Sequence, residues 1–221
     1  MVSRNDKKRS TSVGLIMALA LAVFLTAGSA HATAITVLVG DMDGFGMGCS
    51  DVGTCSGLTA PPIDDRTAAD IAATNGAQYT DVYSALCSGC GPNTTNVGDI
   101  LFPFSGTLTS GTISFAAGDM QSDVFGAFAA SINGVSIPFF YADGRFVTAI
   151  HTITLNAAEI AAANLTGVVD LNLNRNGSGD YLAFDWFELN GATGVPEPAS
   201  VALVGSALAG LVLMRRRRAR Q

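Results

Sequence analysis

Residues 40–48 (GDMDGFGMG) combine acidic side chains with glycines in the manner of a cation-binding loop. Asp41 and Asp43 are two positions apart, so on an extended backbone their carboxylates point to the same side. The glycines let the chain fold tightly and expose carbonyl oxygens, and calcium prefers carboxylate and carbonyl oxygens as ligands. An EF-hand is excluded because Phe45 and Val52 occupy its fifth and twelfth positions. The segment predicts a calcium site; the alternative is a glycine-rich turn with solvated aspartates.

The cysteines form a second set of chemically active side chains. An even number of cysteines in an exported protein favours disulfides, and four cysteines allow three pairings. We expect the local pairs, Cys49–Cys55 and Cys87–Cys90. The alternative is a zinc site of four thiolates, but the C-x5-C and C-x2-C spacings match it loosely and an oxidising compartment disfavours free thiolates.

The sequence offers little catalytic chemistry. His151 is the only histidine between residues 35 and 194, it lies within a strand pattern, and no nucleophile-elbow motif accompanies it. Glu159 and Glu188, the only glutamates of that region, lie in ordinary contexts, and no βαβ pattern surrounds the Cys87-x-x-Cys90 motif. We therefore expect no enzymatic activity, with a polysaccharide hydrolase or lyase as the alternative.

The aromatic residues could serve either as core or as a surface for sugars. Trp186 is the only tryptophan, and it lies among leucine and phenylalanine in 181–189 (YLAFDWFEL), a context typical of a buried residue. Other aromatic side chains would be sugar platforms only if the fold exposed them: Tyr79, Tyr83, Phe140 and Tyr141.

Residues 1–34 have the three parts of a secretory signal peptide. Basic residues before position 10 are followed by an apolar run at 13–27 and by two overlapping A-x-A sites. Cleavage is expected after Ala32 or Ala34. An N-terminal membrane anchor is the alternative, but the apolar run is short for one.

The exported region is strongly acidic. Of 12 lysines and arginines, four precede residue 10 and five follow residue 214, which leaves only Arg66, Arg145 and Arg175 between residues 35 and 194. Sixteen of the 18 acidic residues lie in that region, so its net charge is −13. Nucleic acids and anionic lipids require a basic surface and are excluded as partners.

The hydrophobic pattern predicts one all-β domain over residues 35–192. Short apolar segments are separated by Gly, Asn, Asp and Ser clusters, as in an antiparallel sandwich. Asn133-Gly134 predicts a type I′ hairpin turn, and 174–180 (NRNGSGD) a second hairpin loop. The predicted strands are 35–39, 100–104, 111–115, 124–132, 135–141, 146–155, 168–174 and 181–189.

Two Ala-rich segments are predicted to be helical. The first, 64–76, has Asp64 or Asp65 as its N-cap, and the second, 155–167, has Asn156 as its N-cap with Glu159 in its first turn. The expected fold is an antiparallel β-sandwich of jelly-roll type with two short helices.

The C-terminal segment, residues 193–221, has three parts in a fixed order. The rigid motif Pro196-Glu197-Pro198 is followed by an uncharged stretch, 199–214, which as a transmembrane helix would span roughly 24 Å. A basic cluster over 215–220 then predicts a cytoplasmic end and an outward-facing proline motif. The cluster contains Arg215, Arg216, Arg217 and Arg218.

This order resembles the PEP-CTERM sorting signal of Gram-negative bacteria that make exopolysaccharide. The resemblance implies removal of the tail by an exosortase, a membrane transpeptidase, so that the protein is held in the inner membrane only before processing. It then reaches the cell surface or the extracellular matrix. The alternative is a plain tail anchor that stays intact.

The body resembles jelly-roll modules similar to carbohydrate-binding domains, in the stretches VLVGDMDGFGMG, DDRTAADIAATNGAQYTD and GDYLAFDWFELNG. The resemblance implies a structural calcium shared by the first and last strands, which would add Asp185, and also Asp180, to Asp41 and Asp43. It also implies that the protein binds or structures extracellular polysaccharide. A surface adhesin that binds other proteins is the alternative.

Overall fold

The computed structural model describes residues 32–58, 63–73, 76–90 and 95–194, together with residues 208, 210, 211 and 215. Residues 32–194 form one compact unit with its own core. Most of the expected signal peptide (1–31), the motif Pro196-Glu197-Pro198 and Arg216–Arg218 lie outside the described residues. Within the expected transmembrane segment, 199–214, only residues 208, 210 and 211 are described, and these are helical.

The described body is an antiparallel β-sandwich, which confirms the predicted fold class. The larger sheet has the strand order β1-β9-β4-β7-β2 and the smaller one the order β3-β8-β5-β6. The strands are β1 (Ala32–Gly40), β2 (Gly53–Thr54), β3 (Val97–Pro103), β4 (Thr107–Gly118), β5 (Ala129–Ile132), β6 (Val135–Ile137), β7 (Val147–Thr154), β8 (Val168–Asn174) and β9 (Ala183–Gly194).

The first strand begins earlier than the sequence pattern indicates. The predicted signal peptide includes residues 32–34, but in the structure they open β1 and pair with the end of β9, Ala32 opposite Gly194 and Ala34 opposite Ala192. Cleavage after Ala34 would remove these pairs, whereas cleavage after Ala32 would keep all but one of them.

Three α-helices lie among the described residues of the body, besides a short π-helical turn at Gly44–Gly48: α1 (Ala68–Ala73), α2 (Ser122–Phe125) and α3 (Ala157–Thr166). The ends of α3 are as predicted. Asn156 caps its first turn and forms a reciprocal capping box with Glu159, and Gly167 ends it with φ = 73° in the left-handed region.

The predicted N-cap of α1 is wrong. Neither Asp64 nor Asp65 caps this helix; the Thr67 hydroxyl accepts a hydrogen bond from the Asp70 backbone N–H (3.1 Å), and the Asp70 carboxylate accepts one from the Thr67 N–H (2.7 Å). This is the reciprocal arrangement of a capping box, shifted into the chain. Asp64 instead forms a salt bridge with Arg66, at 2.8 Å.

Two predicted strands are shorter than expected. In 124–132 the chain first completes the helical turn α2, and Gly126, with φ = 91°, then redirects it before β5 begins at Ala129. In 135–141 the strand ends at Ile137, because Pro138 has no N–H to donate to a neighbouring strand.

One predicted turn is confirmed and the other is wrong. Asn133 and Gly134 both have positive φ (48° and 81°), as a type I′ turn requires, and they join the paired strands β5 and β6. Residues 174–180 do not form a hairpin loop, because β8 belongs to the smaller sheet and β9 to the larger one. This segment crosses from one sheet to the other.

The main core fills the space between the two sheets. Alternate residues of β3 and β8 are buried, as period-2 patterning requires. Phe115 of β4 is fully buried and stacks on Phe139 and Phe187, with ring centroids 5.7 and 5.6 Å apart. A core of this kind holds the ends of β1 and β9 in a fixed register.

A second, smaller core contains Trp186. Its side chain is 6% exposed and packs with Phe45, Leu58 and the Cys49–Cys55 region. The indole Nε1 donates a hydrogen bond to the Asp51 carboxylate at 3.0 Å. Trp186 is therefore a buried packing residue, as predicted, and it helps to fix the acidic loop that follows β1.

Candidate metal site

The ends of β1 and β9 lie side by side at one edge of the larger sheet. Gly40, the last residue of β1, pairs with Trp186, the residue after Asp185. Gly40 has φ = 82°, and a Cβ at this position would lie 2.5 Å from the Asp185 carbonyl oxygen and 2.5 Å from Thr80 Cγ2. Only glycine fits here, and its turn directs the chain into the acidic loop.

Four aspartates converge beside this turn: Asp41, Asp43, Asp81 and Asp185. One carboxylate oxygen from each can be chosen so that all four lie within 4.8 Å of one another. The structure thus brings together the three aspartates proposed from the sequence and adds a fourth. We call these four residues the aspartate cluster.

Asp81 was not proposed from the sequence, although it lies in a stretch that carries the resemblance to carbohydrate-binding modules. Its backbone N–H donates to the Phe184 carbonyl at 2.7 Å, which places it next to Asp185. Its φ of 52° is in the left-handed region, which aspartate tolerates better than most residues. No local spacing indicates this contact, because it joins residues about 100 positions apart.

Backbone amides of the loop hold two of the carboxylates. The Asp185 carboxylate accepts hydrogen bonds from the N–H groups of Phe45 (2.7 Å) and Gly44 (3.3 Å), and Asp43 accepts one from Gly46 (2.7 Å). These contacts fold the loop around the cluster. They also leave carboxylate oxygens directed at neighbouring carboxylates.

The electrostatics of the cluster are unfavourable unless a proton or a cation is present. Burial, reinforced by the neighbouring carboxylates, raises the pKa of Asp81 to about 8. Burial likewise raises the pKa of Asp185 to about 7, with Asp51 and Asp43 adding to the rise. The pKa of Asp41 is raised by burial and then by Asp43. Closely spaced like charges favour the neutral form in this way.

Two buried oxygens of the cluster have no hydrogen-bond partner among the described residues. They are Oδ1 of Asp41 and Oδ1 of Asp81, and Asp81 is only 1% exposed. The salt bridges among the described residues, Arg66–Asp64 and His151–Asp143, do not involve the cluster. Buried carboxylate oxygens without donors also occur in Asp170 and Asp180. Where four carboxylates converge, such oxygens suit a bound cation.

The cluster fits calcium by ligand type and by size. Its side chains supply oxygen only, which hard cations prefer, and no nitrogen or sulfur ligand of the kind that zinc selects. Oxygens bound to one calcium ion at about 2.4 Å can be no more than about 4.8 Å apart. The separations in the cluster are within that limit. The separations are therefore compatible with four carboxylates that bind one ion.

Asp180 does not join the cluster. Its Oδ2 accepts a hydrogen bond from the Gln121 N–H at 2.8 Å, close to α2. The expectation that Asp180 would be a calcium ligand is wrong, because the segment before β9 approaches from the smaller sheet.

The cysteines form the two local disulfides that were predicted. Cys49 pairs with Cys55 and Cys87 with Cys90, with Cα atoms 5.5 and 5.4 Å apart. All four cysteines are described and none is free, so the alternative of a four-thiolate zinc site is wrong. The first disulfide closes the loop next to the aspartate cluster.

The remaining candidate residues occupy structural positions. The His151 Nε2 lies 2.8 Å from Asp143 Oδ2, and its ring packs against Tyr141 with centroids 3.9 Å apart. Both oxygens of Glu159 are used in the capping contacts to Asn156. Glu188 lies on β9 beside Asn190.

Comparison with known protein families identifies the C-terminal segment. Residues 194–218 match the PEP-CTERM protein-sorting motif. The chain carries an exosortase sorting signal. The PEP-CTERM motif indicates an exported protein that is anchored transiently in the membrane, and it begins at the last residue of β9, Gly194. Comparison with curated proteins found no match to this chain.

The described residues include no helix that is both long enough and apolar enough to cross a membrane.

Proposed function

We propose that this protein is a non-catalytic, calcium-stabilised module that binds extracellular polysaccharide after PEP-CTERM sorting in a Gram-negative bacterium. Its place of action is the cell surface or the extracellular matrix. The observation that carries the proposal is the aspartate cluster, in which four carboxylates from distant parts of the body converge on one point. Calcium at this point joins the loop after β1, the Asp81 segment and the last strand.

Calcium has a structural role in this proposal. Asp81 and Asp185 are buried at the end of the sandwich, and Asp43 is the exposed member of the cluster. Asp51 lies beside the cluster and accepts the Trp186 hydrogen bond, so the order of the loop is coupled to the smaller core. A bound cation neutralises charges that otherwise repel one another within the fold.

A non-catalytic role is supported by what the candidate catalytic side chains do. Glu159 caps α3, and His151, a residue of β7, is paired with Asp143. Both oxygens of Glu159 accept hydrogen bonds from Asn156, so this carboxylate is engaged in capping and not in one of the two opposed carboxyl groups that glycoside hydrolysis requires. We therefore propose binding rather than cleavage of the polysaccharide.

The surface chemistry supports an uncharged ligand. A shallow groove of about 290 Å³ lies beside the start of α3, and its lining contains hydroxyl and amide groups but no charged side chain. Such groups suit the hydroxyls of a sugar. The lining residues include Thr109, Ser110, Thr112, Thr154 and Asn190.

The test is affinity electrophoresis of the exported protein, purified in mild detergent, through gels that contain the polysaccharide of its own host. We expect the polysaccharide to retard the protein in the presence of calcium without being shortened. A chelator should weaken the retardation. Depolymerisation of the polysaccharide would replace this proposal with the hydrolase or lyase alternative, and absence of retardation would contradict it.

A further inference from the structure

An exposed aromatic patch lies where the chain crosses from the smaller to the larger sheet. Phe125, at the end of α2, is 44% exposed, and Tyr181, just before β9, is 46% exposed. Val124, next to Phe125, is 62% exposed. Large apolar side chains that lie together on the surface of an exported protein indicate a binding surface.

Gly179 lies against the edge of the Phe125 ring. A Cβ built at this exposed glycine would lie 3.4 Å from Phe125 Cδ1, so bare backbone packs against the edge of the Phe125 ring. The Gly179 N–H donates to the Phe125 carbonyl at 3.3 Å, which ties the two segments together. Tyr181 follows two residues later, so both rings border the same short stretch of backbone.

Arg175 supplies a fixed donor at this patch. Its guanidinium carbon lies 5.4 Å from the centre of the Tyr181 ring. The same side chain donates to the Leu86 carbonyl at 3.0 Å and to the Ser178 carbonyl. These bonds use Nη1 and Nε and hold the guanidinium in place near the Tyr181 ring.

The Tyr181 ring also lies near a second, buried tyrosine ring. It lies 6.5 Å from the ring of Tyr83, whose hydroxyl donates to the buried Asp119 carboxylate at 3.0 Å. Tyr83 is only 5% exposed, so it acts as a fixed base for the more exposed ring. A ring held in this way loses little conformational freedom when a ligand stacks on it.

We propose that Tyr181, Phe125 and Arg175 form the contact site for an uncharged polysaccharide, with the C–H face of a pyranose ring on Tyr181 and sugar hydroxyls on the Arg175 guanidinium. This inference rests on the proposed function and assigns the main contact to this patch, apart from the polar groove beside the start of α3. The net charge of −13 between residues 35 and 194 repels a polyanion and so disfavours an anionic polysaccharide as the ligand.

The test is affinity electrophoresis of the exported protein with three neutral polysaccharides (mixed-linkage β-glucan, galactomannan and dextran) and one polyanion, alginate. We expect at least one neutral polysaccharide to retard the protein and alginate not to retard it. The retardation by the neutral polysaccharide should persist in 0.5 M NaCl. Tyr181→Ala and Phe125→Ala should each weaken that binding about 3- to 10-fold, the range for loss of one aromatic contact.

Two further variants sharpen the test. Gly179→Leu keeps both rings but adds a side chain against the Phe125 ring, and it should weaken binding at least as much as Tyr181→Ala. Leu165→Ala removes a side chain that is 88% exposed on α3, outside the patch, and should bind like the parent. Unchanged melting temperatures would show that each variant is folded.

The outcomes separate the site from the function. If the parent binds a neutral polysaccharide but Tyr181→Ala and Gly179→Leu bind equally well, the site is wrong and the proposed function stands. If the parent binds none of the probes and not its host's polysaccharide, the proposed function fails. Salt-sensitive binding to alginate alone would overturn the choice of a neutral ligand.

Discussion

Replacement of Asp81 by asparagine should remove the response of the protein to calcium. For the parent, a dissociation constant of about 0.1 mM, at the tight end for extracellular modules, gives about 2.7 kcal/mol of stabilisation in 10 mM calcium. In a body of about 160 residues, this corresponds to a rise in melting temperature of about 5–11 °C. Loss of one charged ligand weakens binding by about 100-fold. The rise in Asp81→Asn should then be only about 1–2 °C.

The same substitution should act in the opposite direction without calcium. At pH 8 in a chelator, Asp81→Asn should be at least as stable as the parent, because the variant no longer buries a carboxylate among three others. Asp180→Asn is the matched control: Asp180 is also buried, with its pKa raised to about 6, but it lies outside the cluster. It should keep the full calcium response.

The assay is thermal unfolding followed by circular dichroism, with and without 10 mM calcium, for the exported protein in mild detergent. A parent that melts at the same temperature with calcium and with a chelator would refute the site. A full calcium response in Asp81→Asn would refute the assignment of this residue as a ligand.

Other perturbations test separate parts of the structure. In a chelator, the free energy of unfolding should fall as the pH rises from 5 to 8. The pKa of Asp81 is raised to about 8 in the folded state, so the folded state keeps a proton that the unfolded state releases above the usual pKa of 3.8. Chemical denaturation at several pH values measures this, and a rise in stability over that range would contradict it. Replacing Cys49 and Cys55 together by serine should lower the free energy of unfolding by about 2 kcal/mol, because the disulfide closes a short loop. It should also weaken calcium binding. Calorimetry measures both effects, and an unchanged calcium affinity would show that the disulfide does not support the site. Gly40→Ala should destabilise the protein by about 2–4 kcal/mol, from positive φ and overpacking, and near-parental stability in denaturant titrations would contradict the close approach described at this turn. N-terminal sequencing of the exported protein should begin at Thr33, since cleavage after Ala32 preserves most of β1; a start at residue 35 would show that the first pairs with β9 are dispensable.

Local patterns in the sequence predict the elements that depend on neighbouring residues. Strand β8 matches its predicted range, 168–174, because both its alternation and its flanking polar residues are local. The Asn133-Gly134 turn and the Asn156 cap also succeed, since their signals lie within four residues. These features need no knowledge of the tertiary fold.

The wrong predictions concern residues whose structure is determined by tertiary contacts. The segment 174–180 has the composition of a hairpin loop, but it must cross between sheets because β9 pairs with β1 and β4. Asp81 becomes a member of the cluster only through its pairing with Phe184. The sequence placed three of the four aspartates of the cluster, two from their spacing and Asp185 from a resemblance. The fourth required the fold.

The most direct test of the account is the intact mass of the protein that co-purifies with the extracellular polysaccharide of its host. The account predicts a species that lacks both the signal peptide and the arginine-rich tail, ends close to Pro196-Glu197-Pro198 and contains two disulfides. A full-length chain found only in membranes, with none in the polysaccharide fraction, would contradict it.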